Sequence, residues 1–344
     1  GVSACLLGEP LRYDGGHLRN EFLTQTLAPH VEWTPVCPES EAGMGTPREP
    51  IRLVDTGDGA LRMRGVRSDA DHTDVMRSWT ARRIEELADL GLHGYVLTKD
   101  SPSCGLFRVK VYPSGGGPAA RTGRGLFAGA LTERLPLLPV EEQGRLRDPR
   151  LRDNFIERVF VYQRWAALRD GPRAPSALVA FHTAHKLTLM AHAPTLYREA
   201  GRVVARAGRA DWDAIADEYG HVLMRAMERL TTARKHANAL QHAAGFLKQA
   251  LDAGDREELT DAIERYRTGR APFTAPLTLL RHHVRRSGGP EWLAAQTYLY
   301  PYPEPLSLGE TLHNVMLSGA QRSPRFSAQH PLGRLIPSPL RGEG

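Results

Sequence analysis

Cysteine is nearly absent from this chain: Cys5, Cys37 and Cys104 are the only three in 344 residues. A sparse, odd-numbered set argues against a disulfide framework and suits a reducing compartment, so a cytoplasmic location is expected. No Cys-x-x-Cys pair occurs, which removes the usual sequence mark of zinc. Long apolar runs are missing as well; none approaches the roughly 18–20 residues of a membrane helix. The N-terminus lacks a basic segment followed by an apolar one, so no secretory leader is expected. Neither sign of charge dominates residues 1–170. The whole formal excess of +6 falls in residues 171–344, a pattern compatible with a polyanionic partner or with a solvated, arginine-rich helical surface.

What is present divides into two textures. Residues 1–148 alternate short apolar strands with helical or loop segments: GVSACLLG, VEWTPVCP, GYVLTKD and FRVKVYP read as strands. EFLTQTLAPH reads as a short helix. HTDVMRSWTARRIEELADLGL has apolar residues at helical spacing (Val75, Trp79, Ile84, Leu87, Leu90), with Gly91 as its stop. Such alternation predicts an α/β half with a Rossmann-like, mostly parallel sheet. GMGTPREP and YPSGGGPAARTGRG read as loops. RDNFIERVFVYQRWAALR is a predicted helix. After DGPRAP the period is helical almost without interruption from 176 to 270, which predicts an all-α second domain. The expected division is 1–165, a linker at 166–175, a helical domain at 176–319 and a disordered tail at 320–344.

All three cysteines stand at or just past the C-terminal end of an expected strand. In a parallel sheet those ends share one edge, where ligand crevices form, so three thiols distant in sequence can meet in space. Three thiolates can hold three corners of a 4Fe–4S cluster and leave one iron open. A Cys3His zinc site and three unrelated buried thiols are the competing readings. The flanking residues weigh against a plain core: Glu39 and Glu41 follow Cys37, Arg12, Asp14 and His17 follow Cys5, and KDSPSCG carries Cys104.

Read together and in order, VSACLLG…RYDGGH, PVCPE…G…PREPIRL, SPSCG, GRGLFA and LPVEEQGRLRD resemble the thiouracil desulfidase family (TudS-like, domain of unknown function 523). AFHTAHKLTLMAH, RKHANALQHAAGFLK, PFTAPLTLL and QTYLYPYPEPL resemble domain of unknown function 1722, with Ala239 where a larger apolar residue is expected. The combination is similar to the RudS-type desulfidases, which act on 4-thiouridine in tRNA. The resemblance implies a 4Fe–4S cluster on Cys5, Cys37 and Cys104 with no fourth protein ligand. It also implies acid/base assistance from Glu41, four residues past Cys37, and from Ser101. Non-redox release of sulfide from tRNA is the leading expectation, with no nicotinamide cofactor and no membrane partner. Desulfidation of free 4-thiouracil and other small thiopyrimidines is the alternative, and a non-catalytic, cluster-bearing RNA sensor is a second.

In the helical half, His182, His185 and His192 could form a metal set but read better as packing residues. Lys235, Asn238 and His242 share a helix face that could bond phosphates and 2′-hydroxyls. Arg281, Arg285 and Arg286, with His282 and His283, add a basic cluster. Tyr298, Tyr300 and Tyr302 offer stacking surfaces if exposed.

Overall fold

The N-terminal half is built on two four-stranded sheets rather than one. The computed structural model describes residues 1–307 except 58 and 288; the expected tail at 320–344 lies outside the described residues. In chain order the elements are β1 (Val2–Ser3), β2 (Pro35–Val36), β3 (Ile51–Asp55), β4 (Leu61–Gly65), α1 (Thr73–Asp89) and β5 (Tyr95–Leu97). β6 (Val109–Pro113), β7 (Ala120–Gly123), α2 (Leu126–Arg134) and β8 (Val140–Glu142) complete the half. The first sheet runs β2-β1-β5-β8 with every pair parallel. The second runs β4-β3-β6-β7 and is mixed, parallel only between β3 and β6.

The local patterns explain the split. β5 is buried at all three residues, as a strand inside a parallel sheet must be. β6 alternates instead: Val109 and Val111 enter the core while Lys110 faces out, the mark of a one-sided sheet. FRVKVYP therefore joins the second sheet, and the stretch expected as a glycine-rich loop contains β7. The strand expected over GVSACLLG is shorter than its apolar run. It gives way after Ser3 to a one-turn helix, Ala4–Leu7, that ends at Gly8 in the left-handed region. EFLTQTLAPH folds as a wide helical turn, Phe22–Leu27. α1 buries Met76, Trp79, Thr80, Ile84 and Leu87, whereas Val75 and Leu90 are 54% and 59% exposed. The expected apolar stripe is thus right in its middle and wrong at both ends, and Gly91 (φ 63°) stops the helix.

α3 (Pro149–Arg169) starts on Asp148, whose carboxylate accepts the N–H groups of Arg150 and Leu151. Its first half buries Phe155 and Ile156 with Val2, Leu6 and Val96 of the α/β half. Its second half buries Val161 and Trp165 with Leu178, Tyr219 and Leu223 of the helices that follow. The same helix serves both cores, so residues 166–169 of the expected linker are its last turn and 170–174 make the connection. The described residues form one compact unit.

The helical half comprises α4 (Pro175–Ala184), α5 (Lys186–His192), α6 (Pro194–Val204), α7 (Trp212–Met227), α8 (Ala233–Gly245), α9 (Ala253–Arg267), α10 (Thr274–Arg286) and α11 (Glu291–Ala294). SALVAFHTAHKLTLMAH is two helices broken at the buried His185. Gln296 bridges the break: its side-chain oxygen accepts from Leu187 N–H at 3.0 Å and its amide donates to the Thr183 carbonyl at 2.6 Å. The backbone groups freed by the break are thereby satisfied. Ala239 sits wholly in the core of this half. Among the described residues no helix is long and apolar enough to cross a membrane.

Candidate active site

Each cysteine leaves its strand at the same edge of the first sheet. Cys5 lies in the turn after β1, Cys37 immediately follows β2, and Cys104 closes the loop beyond β5. Since β2, β1 and β5 are consecutive parallel neighbours, their carboxyl ends face one way. All three cysteines line one cavity of about 480 Å³. Among the described residues no three His, Cys, Asp or Glu side chains are placed to hold a single metal ion.

The thiol environments differ in detail. Cys5 Sγ shares a hydrogen bond with Thr98 Oγ1 at 3.2 Å, and Cys37 Sγ lies 3.7 Å from the Leu11 carbonyl and 3.5 Å from Ser40 Oγ. Burial pushes the thiol of Cys104 up, and the Glu39 carboxylate pushes it further, against opposing hydrogen bonds from Ser3 and Ser103. Burial raises the Cys5 thiol too. Burial disfavours the charged thiolate at both positions.

The Cys104 loop is wound tightly around Ser101. Ser101 Oγ accepts the N–H groups of Ser103 at 3.2 Å and Cys104 at 3.1 Å, and the Ser101 carbonyl accepts from Gly105 N–H at 2.8 Å. Ser101 Oγ then lies 3.2 Å from Glu39 Oε1, and Ser103 donates to the same oxygen at 2.6 Å. The other oxygen of Glu39 is held by Arg48, through Nε at 3.0 Å and through Nη2.

Glu39, not Glu41, lines the cavity. Glu41 turns back on its own helical turn, where its Oε1 accepts the Cys37 N–H at 2.9 Å and its Oε2 lies 3.4 Å from Arg83 Nε. The family resemblance implied acid/base assistance from Glu41; in the structure that carboxylate is turned onto the Cys37 backbone and Arg83 instead. Arg48, in the PREP stretch, is the site residue that sequence reasoning passed over, and an arginine beside acidic neighbours was its one available signal.

The helical candidates are dispersed. His182 Nδ1 pairs with Tyr219 Oη at 3.1 Å, His185 Nδ1 with the Phe181 carbonyl at 2.8 Å, and His192 with Glu157 at 2.9 Å and the Arg229 carbonyl at 2.7 Å. These are packing roles. Lys235 spends its ammonium on the carbonyls of His192 and Leu230, at 2.7 and 3.3 Å. Asn238 is exposed and His242 half-buried against Phe246. Arg281 donates to the Leu299 carbonyl at 2.6 Å and lies over Tyr300; Arg286 pairs with Asp255, and Arg285 is exposed. Of the three tyrosines only Tyr300 is exposed, because Tyr298 bonds His236 and Tyr302 bonds Asp153.

Comparison with known proteins follows the same division. Residues 1–143 match the family described as 2-thiouracil desulfurase, and residues 186–303 match the protein of unknown function DUF1722. The uncharacterized protein YbgA of Escherichia coli (strain K12) is 28% identical over 162 residues, 46% of this chain and 94% of that protein. The uncharacterized protein YbbK of Bacillus subtilis (strain 168) is 31% identical over 108 residues, 30% of this chain and 71% of that protein. A solved structure titled as the 4Fe–4S-dependent thiouracil desulfidase TudS is 28% identical, with a TM-score of 0.34, over 43% of this chain and 91% of that one.

Proposed function

The chain belongs to the 2-thiouracil desulfurase family, and from that membership we propose that it is an iron–sulfur desulfidase that converts 4-thiouridine in tRNA to uridine. Water enters, the C4=S sulfur leaves as hydrogen sulfide, and no electrons are exchanged. The observation that carries this reading is the single cavity lined by Cys5, Cys37 and Cys104, each from a neighbouring parallel strand end.

The donor set fits a cationic, sulfur-seeking group. Three thiols on neighbouring strand ends are a soft donor set, and metal binding supplies the positive charge that favours their thiolate forms. Cys5, Cys37 and Cys104 would hold three irons of a 4Fe–4S cluster, and no fourth protein thiol exists in the chain. When bound, such a cluster supplies a Lewis-acidic iron with affinity for a soft thiocarbonyl sulfur.

The protein's own groups then have separable tasks. Glu39 is the carboxylate in position to take a proton from water as it adds to C4, and Arg48 fixes its outer oxygen. Ser101 and Ser103 hold its inner oxygen beside Cys104 and orient what binds there. Glu41 positions Cys37 through that residue's N–H.

The test is anaerobic reconstitution with iron and sulfide, followed by incubation with 4-thiouridine-containing tRNA and with free 4-thiouracil. Uridine and more than one equivalent of sulfide per protein are expected from tRNA, falling steeply with salt as phosphate contacts require. Replacing any of the three cysteines by Ala should abolish both the visible absorption and the turnover. A variant that keeps full iron and full activity removes that cysteine from the set. Turnover of the free base alone would leave tRNA out of the function.

A further inference from the structure

The cavity wall is unevenly charged. Arg12, Arg48, Arg52, Lys99 and Lys110 line it against only two carboxylates, Glu39 and Asp100. Arg48 and Lys99 are paired with those two carboxylates, which leaves Arg12, Arg52 and Lys110 in excess. A free thiopyrimidine is neutral and gains little from that excess, whereas a nucleotide carries phosphates on both sides of its base. The second sheet supplies much of this surface. Leu53 of β3 pairs with Val111 of β6, which sets Arg52 beside the strand that carries Lys110 and Tyr112. Strand alternation sends Val111 into the core and turns Lys110 and Tyr112 the other way, where both line the cavity.

Aromatic rings accompany the cations. The Arg52 guanidinium lies 5.7 Å from the Tyr112 ring centre, and Arg12 lies 5.4 Å from that of Tyr13, which is 41% exposed. Arg12 and Arg52 are also paired with Asp14 and Asp69 at 3.3 and 3.5 Å. Those acids are exposed, and surface pairs of this kind are weak enough to be exchanged for a phosphate. Lys110 is exposed and makes no ion pair among the described residues. Cations interleaved with aromatic faces along a groove are the pattern that grips unpaired nucleic acid: charge follows the backbone and rings stack on bases.

We propose that Arg12, Tyr13, Arg52, Lys110 and Tyr112 form a nucleotide clamp at the mouth of the thiol cavity, so that the α/β half itself holds an unpaired RNA segment. The cations meet the phosphates flanking the buried nucleotide, and the two tyrosine rings stack on its neighbours. The identity of the buried base rests on the desulfidase reading; the grip on RNA does not. The helical half is then a second contact region, not the sole one.

The test uses the full chain and a labelled single-stranded RNA of about ten nucleotides with one central 4-thiouridine, its affinity measured by anisotropy across a salt series. The variants are Arg52→Ala, Lys110→Ala, Tyr112→Ala and Tyr112→Phe, with Arg256→Ala on the distant helix α9 as control. Each lost phosphate contact should weaken binding several-fold and lower the log–log salt slope by about 0.7. Tyr112→Phe should retain the affinity that Tyr112→Ala loses, because it keeps the ring. On reconstituted enzyme, kcat/KM for the RNA should fall at least tenfold more than kcat/KM for free 4-thiouracil. Parental affinity and slope in the Arg52→Ala/Lys110→Ala double variant, with native circular dichroism, overturns the clamp and leaves the desulfidase reading standing. Loss of RNA binding in that variant, when the parent releases no sulfide from any thiopyrimidine, supports the clamp and overturns the reaction.

Discussion

The Arg48–Glu39 ion pair ties together the loops of all three cysteines. Arg48 reaches the Leu11 carbonyl, beyond Cys5, at 3.1 Å and the Gly45 carbonyl at 2.9 Å while holding the Glu39 carboxylate, two residues past Cys37. Glu39 in turn receives the serines of the Cys104 loop. The two side chains are only 7% and 12% exposed. Removing one partner of a pair this dry strands a charge, at a typical cost of about 3–5 kcal/mol.

Arg48→Lys should therefore lower both melting temperature and iron retention, since an ammonium cannot reproduce the planar fork that serves three loops. Glu39→Gln keeps the shape and removes the basicity; turnover should drop roughly 10²-fold or more with KM changed little. Iron analysis beside steady-state kinetics separates the two effects. An active Glu39→Gln enzyme would show that water is activated by some other group.

Glu41→Gln is the matched comparison. An amide oxygen can still accept the Cys37 N–H, and the lost pairing with Arg83 is half exposed, worth about 1 kcal/mol or less. Turnover within a few-fold of the parent is expected. A dead Glu41→Gln beside an active Glu39→Gln would exchange the roles of the two carboxylates.

Gly125→Ala should damage the site through sterics alone. A Cβ there would stand 2.4 Å from the Ser103 carbonyl oxygen and 2.9 Å from Cys104 N, both backbone atoms that cannot swing aside. The φ of −62° is open to any residue, so the conformation itself is not the obstacle. Iron content should fall in a protein whose far-ultraviolet circular dichroism stays native. Normal iron loading would mean that the Cys104 loop gives way without consequence.

Helix α3 carries a pH-dependent element at Asp153. Burial raises this carboxyl to about 6, with the neighbouring Glu157 charge adding to it and the Tyr302 hydroxyl, His192 and Arg152 opposing. A carboxyl raised in the folded state contributes stability fully below its unfolded value, near 4, and loses it as pH rises through about 6. Asp153→Asn keeps an acceptor for Tyr302 and cannot ionise. Its melting temperature relative to the parent should rise between pH 4 and pH 7, and a difference flat across that range would show that Asp153 ionises without cost.

Local pattern was enough to expose several features of this chain. Three cysteines behind three short apolar runs pointed to one sheet edge, because strand direction alone sends parallel carboxyl ends the same way. Helical period marked α1, α3 and the stretches that became α4 to α9. The family motifs marked the thiol loops in order.

Long-range contact decided the rest. FRVKVYP and YPSGGGPAARTGRG could not announce a second sheet, since a strand's partner is chosen by which face must be buried, and that depends on residues tens of positions away. Glu39 and Glu41 are equally acidic and stand two and four residues past Cys37. Two residues put them about 200° apart on one helical turn: Glu41 returns to the Cys37 backbone, and Glu39 reaches the cavity. Lys235 and Arg281 read as free cations until the fold gave them buried carbonyls to satisfy. Composition names the groups a site can use; only packing settles which of them are already spent on holding the protein together.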